Sequence, residues 1–203
     1  MASKTEEKRI SFFYYVKKIR SQRNPLFLSL AHLTNPLLVC YTYPMEQLSL
    51  FIYPVKSCAL TGHRLLHDGF DPSSLKRTLE HLIRSGVEVF YNGLAMGFDL
   101  LSAHVILELK ETYPSVRLIA CVPFYGQEKN YPSEDKKLYV EVLSKCDGVV
   151  TLAEHYYKGC YFKRNDYLCE NADMLLAYQR SKTGGTAYTV KKFRKKGGNI
   201  LFV

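Results

Sequence analysis

The sequence contains no tryptophan, and its 12 glycines and 8 prolines in 203 residues are too few for a collagen-like or low-complexity chain. Its six cysteines (Cys40, Cys58, Cys121, Cys146, Cys160 and Cys169) form no CxxC pair and keep no regular spacing. That pattern argues against a disulfide framework and for reduced thiols in a cytoplasmic protein. His155, Cys160 and Cys169 lack the tight paired spacing of a zinc site, so buried, inert cysteines and no metal are expected. No charge occurs from Asn24 to Met45, a span long enough to cross a bilayer. Pro25, Pro36 and Pro44 interrupt it, and His32, Thr34 and Asn35 put polar groups at its centre, which argues against insertion in a membrane.

What is present is normal apolar content, 47%, with a net charge of +9. More than half of the excess lies early: residues 1–56 hold eight basic and three acidic side chains, residues 57–203 twenty and sixteen. A polyanionic partner is therefore less strongly implied by the domain than by the bulk charge. Residues 1–56 read as a basic, aromatic extension, poorly ordered or not part of the domain, and residues 57–203 as the domain itself.

From Ser57 onward, short β runs alternate with amphipathic stretches, the pattern of βαβ units. Strands are expected at 57–61, 87–91, 116–122, 148–152, 174–178 and 199–203. Helices are expected after the Asp71-Pro72 start, through about Glu111, over 133–145, 162–171 and about 186–196. The fold class is α/β: a Rossmann-like, doubly wound, mostly parallel sheet of about six strands flanked by helices. The stripe Leu75, Leu79, Leu82 and Ile83 marks one core-facing helix, and Leu101, Val105 and Leu109 or their neighbours mark the next.

In such a sheet, ligands sit beyond the carboxyl ends of the strands, against helix N-termini with unpaired N–H groups. Three loops carry glycine there: Thr61-Gly62-His63-Arg64, Gly93-Leu94-Ala95-Met96-Gly97 and Thr183-Gly184-Gly185-Thr186. Consecutive glycines entering a helix let amides approach a phosphate, and Thr186 adds a hydroxyl; a simple glycine turn is the alternative. GxGxxG after the first strand is missing, and no acidic residue closes the second strand to hold a ribose, which argues against an NAD dehydrogenase. GxxxxGK[ST] is absent too, against a P-loop NTPase.

The runs Cys58-Ala59-Leu60-Thr61-Gly62-His63-Arg64, Tyr91-Asn92-Gly93-Leu94-Ala95-Met96-Gly97-Phe98-Asp99, Pro123-Phe124-Tyr125 with Gln127-Glu128-Lys129-Asn130, and Gly184-Gly185-Thr186-Ala187-Tyr188-Thr189 resemble the SLOG superfamily. They are most similar to its YpsA-like group of bacterial Rossmann-type proteins, kin to DprA and to the LOG phosphoribohydrolases. The resemblance spans about residues 57–203 and implies a sheet that binds a nucleotide or nucleotide-derived ligand. Many relatives have two glycines where Gly93-Leu94 stands, so a bulkier loop at the ligand is expected here. LOG enzymes carry a glutamate three residues beyond the threonine of their glycine motif, where this chain has Thr189. A hydroxyl cannot replace a carboxylate in acid–base work on a glycosidic bond, so an enzyme is the less favoured reading.

Individual side chains leave alternatives open. Asp99 either meets the ligand, as Asn92 would toward a ribose, or complements a helix dipole, with catalysis a minor reading. Arg64 is read as a phosphate ligand ahead of a surface ion pair. Tyr156, Tyr157, Arg164 and Asn165 offer stacking and base-edge contacts, or an ordinary loop and helix start, and Phe124, Tyr125 and Gln127 pose the same choice. Lys191, Lys192, Arg194, Lys195 and Lys196 either complement the last helix dipole or bind nucleic acid, although without interleaved aromatics.

The expected ligand set is Gly62, His63, Arg64, Asn92, Gly93, Gly97, Asp99, Arg164, Asn165, Gly184, Gly185 and Thr186, with no catalytic residue, no obligatory cofactor and no membrane contact. The leading reading is a sensor or regulatory protein for a nucleotide-like small molecule, with homo-oligomers among its partners. A LOG-like hydrolase of nucleoside monophosphates and a DprA-like single-stranded DNA binder are the alternatives.

Overall fold

A computed structural model describes residues 55–203; the extension expected over residues 1–56 lies, but for its last two residues, outside them. Six strands form one sheet: β1 (Ser57–Gly62), β2 (Val89–Asn92), β3 (Arg117–Val122), β4 (Gly148–Thr151), β5 (Met174–Tyr178) and β6 (Asn199–Phe202). Helices α1 (Pro72–Arg84), α2 (Phe98–Thr112), α3 (Ser133–Lys145), α4 (Cys160–Asn171) and α5 (Gly184–Lys195) fill the crossovers, with a 3-10 turn at Gln127–Asn130.

Every neighbouring pair is parallel and the spatial order is β4-β3-β2-β1-β5-β6. The chain thus winds outward from β1 in one direction through β4, then returns to β5 on the other side of β1. The order reverses between β1 and β5, which makes the gap beyond their carboxyl ends the topological switch point of the fold.

Alternation along the strands assigns the two faces. Cys58 and Leu60 of β1 join Leu75, Leu79 and Leu82 of α1, Ile106 and Leu109 of α2, and Val142 of α3 in one core. Ala59 points the other way, with Leu168 and Cys169 of α4 and Val190 and Phe193 of α5. Helix α1 starts as read: the Asp71 carboxylate accepts the N–H groups of Ser73 at 2.9 Å and Ser74 at 3.1 Å, and Pro72 occupies the first turn.

Departures are small. Strand β2 begins at Val89 rather than Val87, because the Val87 N–H still closes the end of α1 on the Leu82 carbonyl. In α2, Val105 and Leu109 are buried as expected, together with Phe98, Leu100, Ala103 and Ile106, while Leu101 packs at the edge of the core. Cys58, Cys121, Cys160 and Cys169 are buried and Cys146 partly so; all five are free thiols, and Cys40 lies outside the described residues. Burial pushes the Cys58 and Cys121 thiols up to about 12, which leaves them unreactive at neutral pH. Among the described residues no helix is long and apolar enough to cross a membrane.

Candidate functional site

A cavity of about 770 Å3 opens at the switch point. Its wall comes from the end of β1 and the segment after it (Thr61 to His67), Ala95 in the loop before α2 and Asp99 at its start, the first turns of α4 (Tyr161, Phe162, Arg164 and Asn165), the loop after β5 (Arg180 and Ser181) and the start of α5 (Gly185 and Thr186). The size lies within the range of small-molecule sites.

The floor is a buried ion pair. Asp99 is 3% exposed and Arg164 6%. The carboxylate accepts the Gly62 N–H on Oδ1 at 3.1 Å and faces Arg164 Nη1 with Oδ2 at 3.5 Å. Burial raises the Asp99 carboxyl from 3.8 to about 6, more than the Arg164 guanidinium and the Gly62 and Ala95 N–H groups bring it down. The Arg164 Nε–H is buried without a partner, as is Oε1 of Gln127, whose Nε2 donates to the carbonyls of Gly93 and Leu94 at 3.1 and 3.3 Å.

The rim is cationic and aromatic. Arg64 is exposed, makes no ion pair among the described residues, and sits 5.9 Å over the ring of Tyr161. Tyr161 meets Phe124 edge-on at 5.8 Å, and Phe124 meets Tyr156 at 5.5 Å. Exposed Arg180 likewise has no acidic partner among the described residues. His63 holds the loop beside it: its Nε2 accepts the N–H groups of Arg180 at 2.9 Å and Ser181 at 3.1 Å. At the far side, α5 begins with Gly184 at φ +88°, no side chain among the described residues caps it, and Gly185 and Thr186 of its first turn line the opening.

Of the residues read from the sequence as ligand contacts, Gly62, His63, Arg64, Asp99, Arg164, Asn165, Gly185 and Thr186 share this cavity. Asn92, Gly93, Gly97 and Gly184 do not line it. Asn92 is wholly buried: its amide donates to the Asp99 carbonyl at 2.9 Å and Ser102 Oγ at 3.1 Å, and its oxygen accepts the Leu94 N–H at 2.7 Å. It locks the β2–α2 loop and cannot reach toward a ribose.

Gly93 and Gly97 are glycines because other chain segments press against them. A Cβ on Gly93 would stand 1.2 Å from Arg164 Nη1, and one on Gly97, at φ +78°, 2.1 Å from the Arg64 carbonyl oxygen. Leu94, expected from the sequence to make this loop bulkier, does not line the cavity. It adopts φ +49° and turns its side chain fully into the core.

Thr186 lies inside the first turn of α5 and Thr183 takes the capping position without a capping bond. Thr189 is fully buried, its hydroxyl donating to the Gly185 carbonyl at 2.9 Å, so the position of the LOG glutamate holds no group directed at the cavity. In α5, Lys192 pairs with Asp166 at 2.6 Å and Lys196 donates to the carbonyls of Cys169 and Ala172 at 2.8 and 3.0 Å, while Arg194 lies over Phe202. Two of the five basic side chains in that run, Lys191 and Lys195, are left without such contacts.

Tyr161, Phe162, His67, Arg180 and Ser181 line the cavity and were not singled out from the sequence. Arg180 had a usable signal: it stands two residues beyond β5, the strand that flanks the switch point. Among the described residues no group of three or more His, Cys, Asp or Glu side chains is placed to hold a metal.

The YpsA family model, described as the YspA SLOG family, matches residues 72–199. A UPF0398 protein of Bacillus cereus strain B4264 is 30% identical over 156 residues, covering 70% of this chain and 85% of that protein. One from Halalkalibacterium halodurans is 26% identical over 155 residues, covering 75% and 82%. Among solved structures, DNA processing protein A from Helicobacter pylori superposes with a TM-score of 0.57 at 18% identity, over 78% of this chain and 68% of that one. Its Streptococcus pneumoniae counterpart gives 0.56 at 17%, over 73% of this chain and only half of that one. Such low identities speak for the shared Rossmann-like fold alone, while the matched span of the sequence model fixes the kinship: the chain belongs to the YpsA family of SLOG proteins.

Proposed function

We propose that the switch-point cavity binds a nucleotide or nucleotide-derived small molecule and that the protein acts as a sensor or regulator of it. One observation carries this reading: the uncapped start of α5 and two arginines without acidic partners, Arg64 and Arg180, converge on one cavity of ligand size. A helix N-terminus with oriented N–H groups favours a phosphate, and guanidinium forks match its oxygens. Tyr161 and Phe162 supply flat apolar surface for a base.

The reading is tested by thermal shift and calorimetry with nucleoside mono- and diphosphates, ADP-ribose, and cyclic and dinucleotides. Stabilisation by one class is expected, weakened about tenfold or more in Arg64→Ala, the loss typical of a charge-assisted hydrogen bond. A folded protein that responds to none of them sinks the proposal.

Single-stranded DNA is the second reading, since the Helicobacter pylori neighbour is described as having a single-stranded DNA binding mode. In this chain it is favoured by the exposed rings of Tyr156, Tyr157 and Phe162, which offer stacking faces. An oligothymidylate in the same assay separates the two, because only a strand spread over that surface shows a steep salt dependence and loses affinity in Tyr156→Ala.

A further inference from the structure

We propose that this cavity takes up a proton together with its anionic ligand, and that Asp99 is the group that receives it. The inference rests on the nucleotide reading above and adds a regulation to it. Among the described residues Asp99 is the only acidic side chain in the cavity wall, alongside Arg64, Arg164 and Arg180.

The groups that face its carboxyl are few. From β1 comes the Gly62 N–H at 3.1 Å; from the loop before α2, the Ala95 N–H; from the segment after β1, Arg64; from α4, Arg164; and from the segment after the 3-10 turn, the Tyr131 phenol. The two N–H groups are fixed by the backbone. The two guanidinium groups are not bound tightly to Asp99: Arg64 lies over Tyr161, and the Arg164 contact is 3.5 Å, well beyond the 2.7–2.9 Å of a firm charge-assisted bond. That contact is the one hydrogen bond of the Arg164 side chain among the described residues, and its Nε–H is buried without a partner.

A ligand phosphate drawn to Arg64 and Arg164 therefore competes with Asp99 for its counter-charge and places like charge close to a carboxylate that solvent scarcely reaches. At a few ångströms, two like charges in a protein interior repel strongly. Protonating the carboxyl removes that repulsion, and the group needs little persuasion, because burial already holds it near 6 in the free protein. Affinity should be flat below pH about 6 and fall above it, by at most about tenfold per pH unit, the limit for one linked proton.

The experiment is calorimetric titration of the full-length protein with ADP-ribose at pH 7, in two buffers of different ionisation enthalpy. The diphosphate bridge of ADP-ribose keeps its charges across this range, so net proton uptake reports the protein. Uptake of up to one proton is expected in the wild type and none in Asp99→Asn, which keeps an acceptor for the Gly62 N–H. Should that variant fail to fold, the carbon-13 carboxyl signal of wild-type Asp99 is titrated with and without ADP-ribose, and its midpoint should rise by about one pH unit or more on binding. Binding without uptake, an unmoved Asp99 midpoint, or uptake undiminished in a folded Asp99→Asn overturns the inference and leaves the nucleotide reading standing. If ADP-ribose does not bind, sulfate is titrated as the minimal anion; failure of both overturns this inference, while the nucleotide reading falls only if the whole nucleotide panel fails as well.

Discussion

Gly93 shows how much of the site hangs on single atoms. The missing Cβ is the space that Arg164 occupies, so Gly93→Ala must expel the guanidinium from Asp99. Removing one partner of a buried ion pair costs on the order of 3–5 kcal/mol, and a urea titration of Gly93→Ala should lose stability on that scale while also losing ligand response. Wild-type midpoints would show that the loop simply shifts. Asp99 itself leaves a signature in the pH dependence. Its folded-state carboxyl, at about 6, lies above the ordinary 3.8, so the folded chain holds this proton more firmly than the unfolded one. The stability contributed by this group is complete below about pH 4 and is lost as pH rises through about 6. Subtracting the Asp99→Asn stability profile from the wild-type profile should give a difference that falls across that window; a flat difference would contradict the assignment.

At the scale of elements, the loops between strand and helix are locked to one another before any ligand arrives. The β1–α1 loop carries His63, which fastens the β5–α5 loop through two N–H groups, and its carbonyls abut the start of α2 at Gly97 and Phe98. Helix α5 divides in function along its length. Its N-terminus faces the cavity, whereas Lys192 and Lys196 near its C-terminus bind it to α4. The double substitution Lys191→Ala with Lys195→Ala should therefore leave nucleotide affinity and its salt dependence unchanged. A salt slope reduced by one or two would instead make this helix a nucleic-acid contact.

On the scale of the whole molecule, residues 55–203 carry two cores, one on each face of a parallel sheet, and form a compact unit. We propose that this unit is the functional domain. A chain starting at Pro54 is expected to unfold in one cooperative step and to keep the ligand response of the full protein. Aggregation or a non-cooperative transition of the shortened chain would show that the preceding residues are needed for the fold.

The fold was legible in the sequence because its signals are local: apolar periodicity, Asp71-Pro72 at a helix start, Gly86 and Gly197-Gly198 at helix ends, and β-rich runs between them. Half of the site was legible for the same reason, since glycine loops after strands mark where a Rossmann-like sheet binds. What remained hidden involved partners distant along the chain. Gly93 looks like part of the ligand loop until Arg164, 71 residues on, is seen to fill the space beside it, and Gly97 until the Arg64 carbonyl is seen against it. Leu94 looks like an obstruction until its backbone turns and buries it. The sequence by itself determined the α/β class, the element order and the region of the cavity, because hydrogen bonding and burial patterns repeat over a few residues. Only the tertiary structure decided which groups line the cavity and that Asp99 lies buried against Arg164, because close approach and desolvation depend on segments that meet only when the sheet is complete.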